Sequence, residues 1–326
     1  MRRREFIALF GGAATWSTVA RAQQVKRPTV GLLSGVSLDT YADRIAAVHQ
    51  GLKENGFIEG QNLALEYRTA RSHYEQLPIL AAELARLPVA VIISVGTSMA
   101  ARAAKSATKD IPIVFVVGAD PVAIGLVTSL NRPDGNITGV TIFALELTAK
   151  RLELLREIKP NATDIAYVVN SSNAISSADA KAVVEAGRAI GCRIVVLGAK
   201  NEQDIDAAMA TVAERKIAAV MFQGEAFFAG RRDQIIELAK RHLIPVMYPT
   251  SQSVAAGGLI SYASDIDEMY RMAGVYVARI LQGARPPDLP ILQPTKFRLS
   301  INLKTARALG LTIPVQLLAQ ADEIIN

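Results

Sequence analysis

The stretch Val89–Pro121, VAVIISVGTSMAARAAKSATKDIPIVFVVGADP, decides the fold class of this chain. It contains two apolar runs, Val89–Val95 and Ile111–Val117, which are rich in β-branched residues and too short for independent helices. Such runs are typical of strands that are buried on both faces of a sheet. Each run ends in small polar residues and is followed by a helix-like segment, Met99–Ala107 and then Val122–Leu130. The order predicts a parallel α/β layer.

The two polar turns are the first candidates for ligand contacts. They read Gly96-Thr97-Ser98 and Gly118-Ala119-Asp120-Pro121. In parallel α/β sheets, ligands bind beyond the carboxyl ends of the strands, where helix N-termini present free N–H groups. We therefore expect Thr97, Ser98 and Asp120 to face a ligand.

The same alternation of strands and helices fills the rest of the chain. A segment rich in turn formers, residues 131–139, ends a first series, and a second series of strands and helices follows it. After residue 263 the chain adds one more helix, a Pro-rich segment and a strand around Phe297–Ile301. This order predicts an α/β protein with two doubly wound parallel-sheet lobes, joined by a multi-strand hinge. The expected N-terminal lobe comprises residues 28–143 plus about 264–284, and the C-terminal lobe comprises 144–263 plus about 285–326.

The N-terminus has the pattern of an export signal. Arg3-Arg4-Glu5-Phe6-Ile7 resembles a twin-arginine motif, a short Gly/Ala-rich apolar stretch follows it, and Ala20-Arg21-Ala22 has the form of a cleavage site. Cleavage after Ala22 would remove Trp16, the only tryptophan, and would lower the formal net charge from +6 to +3. The alternatives are the general secretory route and an N-terminal helix that the mature protein keeps. We expect a periplasmic monomer that neither spans the membrane nor binds nucleic acid and, because no cysteine stands at the cleavage site, is not a lipoprotein.

Motifs for catalysis, cofactors and metals are absent from the sequence. There is no phosphate-binding G-x-x-x-x-G-K-[ST] run, no G-x-S-x-G nucleophile and no H-E-x-x-H zinc motif. The three histidines are scattered, and Cys192 is the only cysteine, so we interpret it as a buried core thiol. We predict neither a cofactor nor a metal site, and no enzymatic activity.

Polar residues recur at the predicted strand ends. Hydroxyls and free backbone amides suit a carboxylate, whereas an acid suits an ammonium group, so together they would bind a zwitterion such as an amino acid between the lobes. The alternative is that each residue only caps a helix. We expect Thr97 and Ser98, with Ser34 or Ser37, to bind the carboxylate, and Glu225 or Asp120 to bind the ammonium. The full candidate set is Ser34, Ser37, Thr97, Ser98, Asp120, Asn170, Glu225, Tyr248 and Ser251.

Several segments carry a resemblance to a known family. They are the start MRRREFIALFGGAA, residues 50–68 (QGLKENGFIEGQNLALEYR), residues 111–141 with GADP and LNRPDGNITG, residues 149–160 (AKRLELLREIKP) and residues 293–326. Over nearly its whole length the chain resembles the ABC transporter substrate-binding proteins of the type I periplasmic-binding fold, in the group with tryptophan- and tyrosine-binding members. The resemblance implies a binder that closes on a solute and delivers it to a membrane permease, which a separate ATPase drives.

The chain departs from the family pattern in the second lobe. It has Asn170-Ser171-Ser172-Asn173-Ala174 where relatives carry Asn-Pro-Asn-Asn-Pro, and Glu225-Ala226-Phe227-Phe228 where they carry a segment like Asp-Pro-Phe-Phe. Two other function classes stay open, namely a periplasmic α/β enzyme and a ligand sensor for a membrane signalling partner.

Overall fold

The computed structural model describes residues 27–142, 147–173 and 175–326 and contains two sheets. The predicted export signal, Phe143 and Ala174 lie outside the described residues. The first sheet has five parallel strands in the order β2-β1-β3-β4-β5. They are β1 Thr29–Ser34, β2 Ala64–Thr69, β3 Val91–Val95, β4 Ile113–Val117 and β5 Ile137–Thr141.

The second sheet has seven strands in the order β7-β6-β8-β9-β10-β11-β12. The strands from β7 to β10 are parallel, whereas β11 runs antiparallel to β10 and parallel to β12. They are β6 Asp164–Val169, β7 Arg193–Gly198, β8 Ala219–Phe222, β9 Val246–Tyr248, β10 Ile260–Ser264, β11 Phe297–Asn302 and β12 Glu323–Ile325. The two α/β sheets confirm the predicted fold class.

Helices cover both faces of each sheet. In chain order they are α1 Ala42–Glu54, α2 Leu77–Arg86, α3 Ser98–Ala107, α4 Leu147–Ile158, α5 Ser176–Ala189, α6 Glu202–Glu214, α7 Ala226–Ala229, α8 Arg232–His242, α9 Ser251–Ala255, α10 Ile266–Leu281, α11 Leu303–Ala308 and α12 Val315–Gln320. Three 3₁₀ turns cover Asp39–Tyr41, Tyr74–Gln76 and Pro286–Asp288. No helix in the described ranges combines the length and hydrophobicity that a membrane span requires.

We define the first lobe as the first sheet with its helices. Most of its strands are buried, which explains why their sequences are so strongly apolar. All residues of β3, β4 and β5 are buried, so their side chains contact helices on both sides. One core lies between this sheet and α1 with α10, and another lies under α2 and α3. The edge strand β2 is only half-buried, in agreement with its alternating sequence.

The chain crosses between the lobes more than once. After β10 it returns to the first lobe, where α10 packs against α1. Leu289 and Ile291 also lie in the cores of the first lobe, and the Leu292 N–H donates to the carbonyl of Gly139 in β5. The chain therefore crosses to β11 after Leu292, and the expected boundary near residue 285 falls too early.

One local expectation was wrong. Residues 122–130, predicted as a helix, form turns: Asp120 Oδ1 accepts a hydrogen bond from the Val122 N–H, and Gly125 has φ +73°, which ends any helical turn there.

Phe227 and Phe228 lie in the short helix α7. Both are buried, and they pack edge-to-face on each other and, through Phe228, on Phe222. They are core residues of the second lobe, which we define as the second sheet with its helices.

Candidate functional site

A cleft separates the two lobes at the carboxyl ends of their strands. It holds about 1010 Å³ of space outside protein atoms, part of it open to solvent. Its lining comes from the segments around the carboxyl ends of β1, β3, β4 and β5 in the first lobe and of β6, β8, β9 and β10 in the second, together with residues of α1, α4, α5 and α10. The predicted position of the site at the strand ends is therefore where the structure has its main cleft.

The wall of the first lobe contains the N-terminus of α3. Gly96, with φ +84°, turns the chain sharply out of β3, and Thr97 then caps the helix by accepting a hydrogen bond from the Met99 N–H (3.3 Å). Thr97 and Ser98 both line the cleft. The free N–H groups and the positive end of the helix dipole favour an anion here.

Tyrosines and an arginine complete this wall. The Tyr41 and Tyr270 rings meet edge-to-face with centroids 5.7 Å apart, and their hydroxyls are 2.9 Å apart. Arg44 lies next to them with its side chain only 11% exposed; it pairs with Asp267 of α10 and donates to Gln252 Oε1 of α9 (3.3 Å). Arg44 thus joins the first lobe to the second through a neutralised pair.

Glu225 is the acid at the centre of the second wall. Tyr74 of the first lobe donates its hydroxyl to Glu225 Oε1 (2.7 Å), and Asn170 and Asn173 donate their amides at 2.8 and 3.4 Å. Burial raises the pKa of Glu225, although these donors oppose the rise. Because Tyr74 and Glu225 belong to different lobes, this hydrogen bond holds the cleft closed at one side.

A second acid, Asp179 of α5, lines the same wall. It accepts a hydrogen bond from the Gln223 side-chain amide, and burial raises its pKa. Gln223 is fixed in turn, because its Oε1 accepts from the Asn170 N–H (2.9 Å) and from Ser176 Oγ (2.9 Å). Asp179 is therefore held in place by a buried polar network.

Arg151 of α4 also lines the cleft. Its Nε donates to the Tyr262 carbonyl (2.8 Å) and its Nη2 to the Pro249 carbonyl (3.4 Å). Burial lowers its pKa to about 10, so the guanidinium is still charged at neutral pH. The aromatic ring of Tyr167 lines the cleft nearby, within the electrostatic influence of both Asp179 and Arg151.

Four of the predicted residues belong to this site. Thr97, Ser98 and Glu225 line the cleft. Asn170 is 1% exposed, and its side-chain amide donates to Glu225 Oε2 (2.8 Å), so it supports the acid.

The other predicted residues do not line the cleft. Ser34 is fully buried, and its hydroxyl bonds to the backbone of Val36; Ser37 Oγ lies 3.4 Å from Asp39. Asp120 caps the turn at Val122, so the capping alternative holds for it. Tyr248 is a core residue, and Ser251 begins α9 next to the cleft-lining Thr250.

Several residues of the cleft were not predicted from the sequence, and most of them lie on helices and not at strand ends. They are Tyr41, Arg44, Arg151, Asp179, Gln223 and Tyr270. One signal was available: Arg151 falls on the buried face of α4 together with Leu147, Leu154 and Leu155. A charged residue on an apolar helix face is expensive to bury and often serves a function.

Comparison with known proteins agrees with this geometry. Residues 29–325 match the sequence model of a family described as ABC transporter substrate binding protein. The chain belongs to this family. Among the described residues of this substrate-binding protein, no group of three or more His, Cys, Asp or Glu side chains could hold a metal ion.

Individual relatives of this substrate-binding protein were also found. It is 25% identical over 262 residues, 80% of this chain and 75% of the relative, to a tyrosine-binding protein of Clostridioides difficile (strain R20291). A conserved domain protein from Vibrio cholerae has a TM-score of 0.83 and 28% identity, over 92% of this chain and 100% of that chain. An ABC domain from Streptococcus pneumonia in complex with L-Trp has a TM-score of 0.81 and 22% identity over the same shares, which supports the fold.

Proposed function

We propose that this protein is the exported solute-binding component of an ABC importer and that its solute is an amino acid, with aromatic amino acids the leading candidates. The observation that carries the proposal is the complementary charge of the two walls of the cleft. The first wall presents the α3 N-terminus with Thr97 and Ser98, and the second presents the acids Glu225 and Asp179. An α-carboxylate suits the first wall and an α-ammonium suits the second.

The middle of the cleft favours an aromatic side chain. Tyr41, Tyr167 and Tyr270 line it together with apolar residues such as Val116 and Ile142. Tyrosine rings pack edge-to-face or offset on another ring and contribute about 0.5–1.5 kcal/mol beyond simple burial. The tyrosine-binding relative and the L-Trp complex of the similar structure support the same ligand class.

Import is the second part of the proposal. The lobes already touch through Tyr74 and Glu225, and several chain crossings join them, so closure on a solute would give a permease a ligand-dependent surface. The twin-arginine-like start and Ala20-Arg21-Ala22 support export to the periplasm with cleavage after Ala22. The partners of the protein would be the solute, an ABC permease and its ATPase, and the protein would act as a monomer.

A ligand screen of the protein purified from the periplasm tests the proposal. The panel contains the twenty amino acids, purines and small carboxylates, and the readout is the melting temperature with calorimetry on every hit. A solute at a hundred times its Kd stabilises the folded state by about 2.7 kcal/mol, which raises Tm by about 4 °C for a chain of this size. A panel in which purines or simple carboxylates bind and no amino acid does would contradict the amino-acid assignment. Chemical turnover of a bound solute would favour the enzyme alternative.

A further inference from the structure

The two acids of the cleft differ in how many of their acceptor positions are already occupied. A carboxylate offers about four such positions. Glu225 Oε1 accepts hydrogen bonds from the side chains of Tyr74 and Asn173, and Oε2 accepts one from the side chain of Asn170. The carboxylate also accepts a hydrogen bond from the Phe227 backbone N–H. These bonds leave Glu225 little capacity to accept a further donor from a solute.

Asp179 is in the opposite situation. It accepts one hydrogen bond, from Gln223 to Oδ2, and within the described residues it takes part in no ion pair. Its side chain is half-buried and lines the cleft, so Oδ1 is available to a ligand. Burial without a cationic partner is costly for a carboxylate, and a bound ammonium group would offset that cost.

We infer that Asp179 binds the ammonium group of the solute and that Glu225 instead locks the two lobes together through Tyr74. The inference rests on the proposed function and deepens it, because it assigns two roles to two acids on the same wall. Gln223 orients Asp179 and also bonds to the Asn170 N–H, so the ammonium contact and the lobe contact share one polar network. Tyr167 lines the same cleft.

The inference predicts a specific pattern of affinities. Asp179→Asn keeps the size of the side chain and an oxygen for Gln223 but removes the charge. We expect it to weaken the binding of L-tryptophan and L-tyrosine by about 10- to 100-fold, because a charge-assisted hydrogen bond in a partly buried site contributes this much to affinity. Indole-3-propionate and 3-(4-hydroxyphenyl)propionate lack the ammonium group, so the same variant should bind them no more weakly than the wild type does.

Tyr74→Phe serves as the matched comparison, with Glu225→Gln as a second variant of the same contact. Both weaken the contact between the lobes and leave Asp179 and its donor Gln223 unsubstituted. They should therefore weaken the binding of amino acids and the binding of their deaminated analogues by a similar factor. X-ray scattering should show a larger radius of gyration for Tyr74→Phe with ligand than for the wild type. Melting curves of each variant without ligand establish that it folds.

The outcomes separate the inference from the proposed function. An unchanged L-tryptophan affinity in Asp179→Asn, or an equal loss for the amino acid and its deaminated analogue, overturns the inference and leaves the proposed function intact. If the wild type binds no amino acid, the proposed function is overturned. Tryptamine and tyramine then test the role of Asp179, since they carry the ammonium group and lack the carboxylate. If no ammonium-bearing probe binds to the wild type, both are overturned.

Discussion

The contact between α1 and α10 gives the sharpest test of how the helix that returns from the second lobe packs in the first lobe. Gly51 of α1 and Gly274 of α10 lie face to face, and a Cβ at Gly274 would be 2.2 Å from the Val48 carbonyl oxygen and 3.2 Å from Gly51 Cα. In a helix interior, Gly→Ala normally stabilises by about 1 kcal/mol. Here we expect the opposite sign for Gly274→Ala, because the added methyl group meets rigid backbone and not a flexible side chain.

The size of the effect follows from the distances. To restore an ordinary van der Waals contact, the two helices must move apart by about 1 Å. Atoms in the interface between α1 and α10 would then lose about a quarter to a half of their dispersion energy. Insertion of a methylene into a packed core costs about 1–3 kcal/mol. Applied to the first lobe, that cost lowers Tm by roughly 3–10 °C.

Thermal unfolding of Gly274→Ala, of Gly51→Ala and of the double variant provides the assay. A Cβ at Gly51 would be 2.0 Å from the Arg271 carbonyl oxygen, so this variant also separates the helices. In the double variant, the second substitution should then lower the free energy of unfolding by less than the first, because the first has already moved the two helices apart. Lys53→Ala on the exposed side of α1 is the control and should change stability by about 0.5 kcal/mol or less. An unchanged or higher Tm for Gly274→Ala would refute the close helix contact.

Three further predictions concern single groups. Cys192 is buried, so a thiol reagent should label the native protein far more slowly than the protein in denaturant, and fast native labelling would contradict its place in the core. Burial raises the pKa of Asp179, so the folded state binds the proton more tightly than the unfolded chain, in which the pKa is about 3.9. The wild type should therefore lose stability relative to Asp179→Asn as pH rises from about 4 through the folded-state pKa, and a Tm difference that is independent of pH would contradict this. The exported protein should lack tryptophan emission and the mass of residues 1–22, because Trp16 would leave with the signal; a retained N-terminus would show both.

Residues buried on both faces of a sheet made the fold predictable. The runs that form β3 and β4 are apolar except for Ser94 and buried at every position, a pattern typical of strands with helices on both sides. The short elements were harder to predict. Strand β12 and helices α9 and α11 have three to six residues each, too few for a hydrophobic period to appear. Residues 122–130 have the composition of a helix, but Asp120 and Gly125 impose turns that composition does not show.

The candidate site was predictable in place but not in detail. Strand ends converge on one rim by topology, so Thr97 and Glu225 could be expected there from sequence order alone. Whether an acid at that rim can accept a ligand depends instead on how many donors already surround it. Tyr74 and Asn170 reach Glu225 from positions 151 and 55 residues away, a convergence that no local pattern shows. Asp179, on a helix and with one donor, is for that reason a better ligand contact than the acid that sequence position favours.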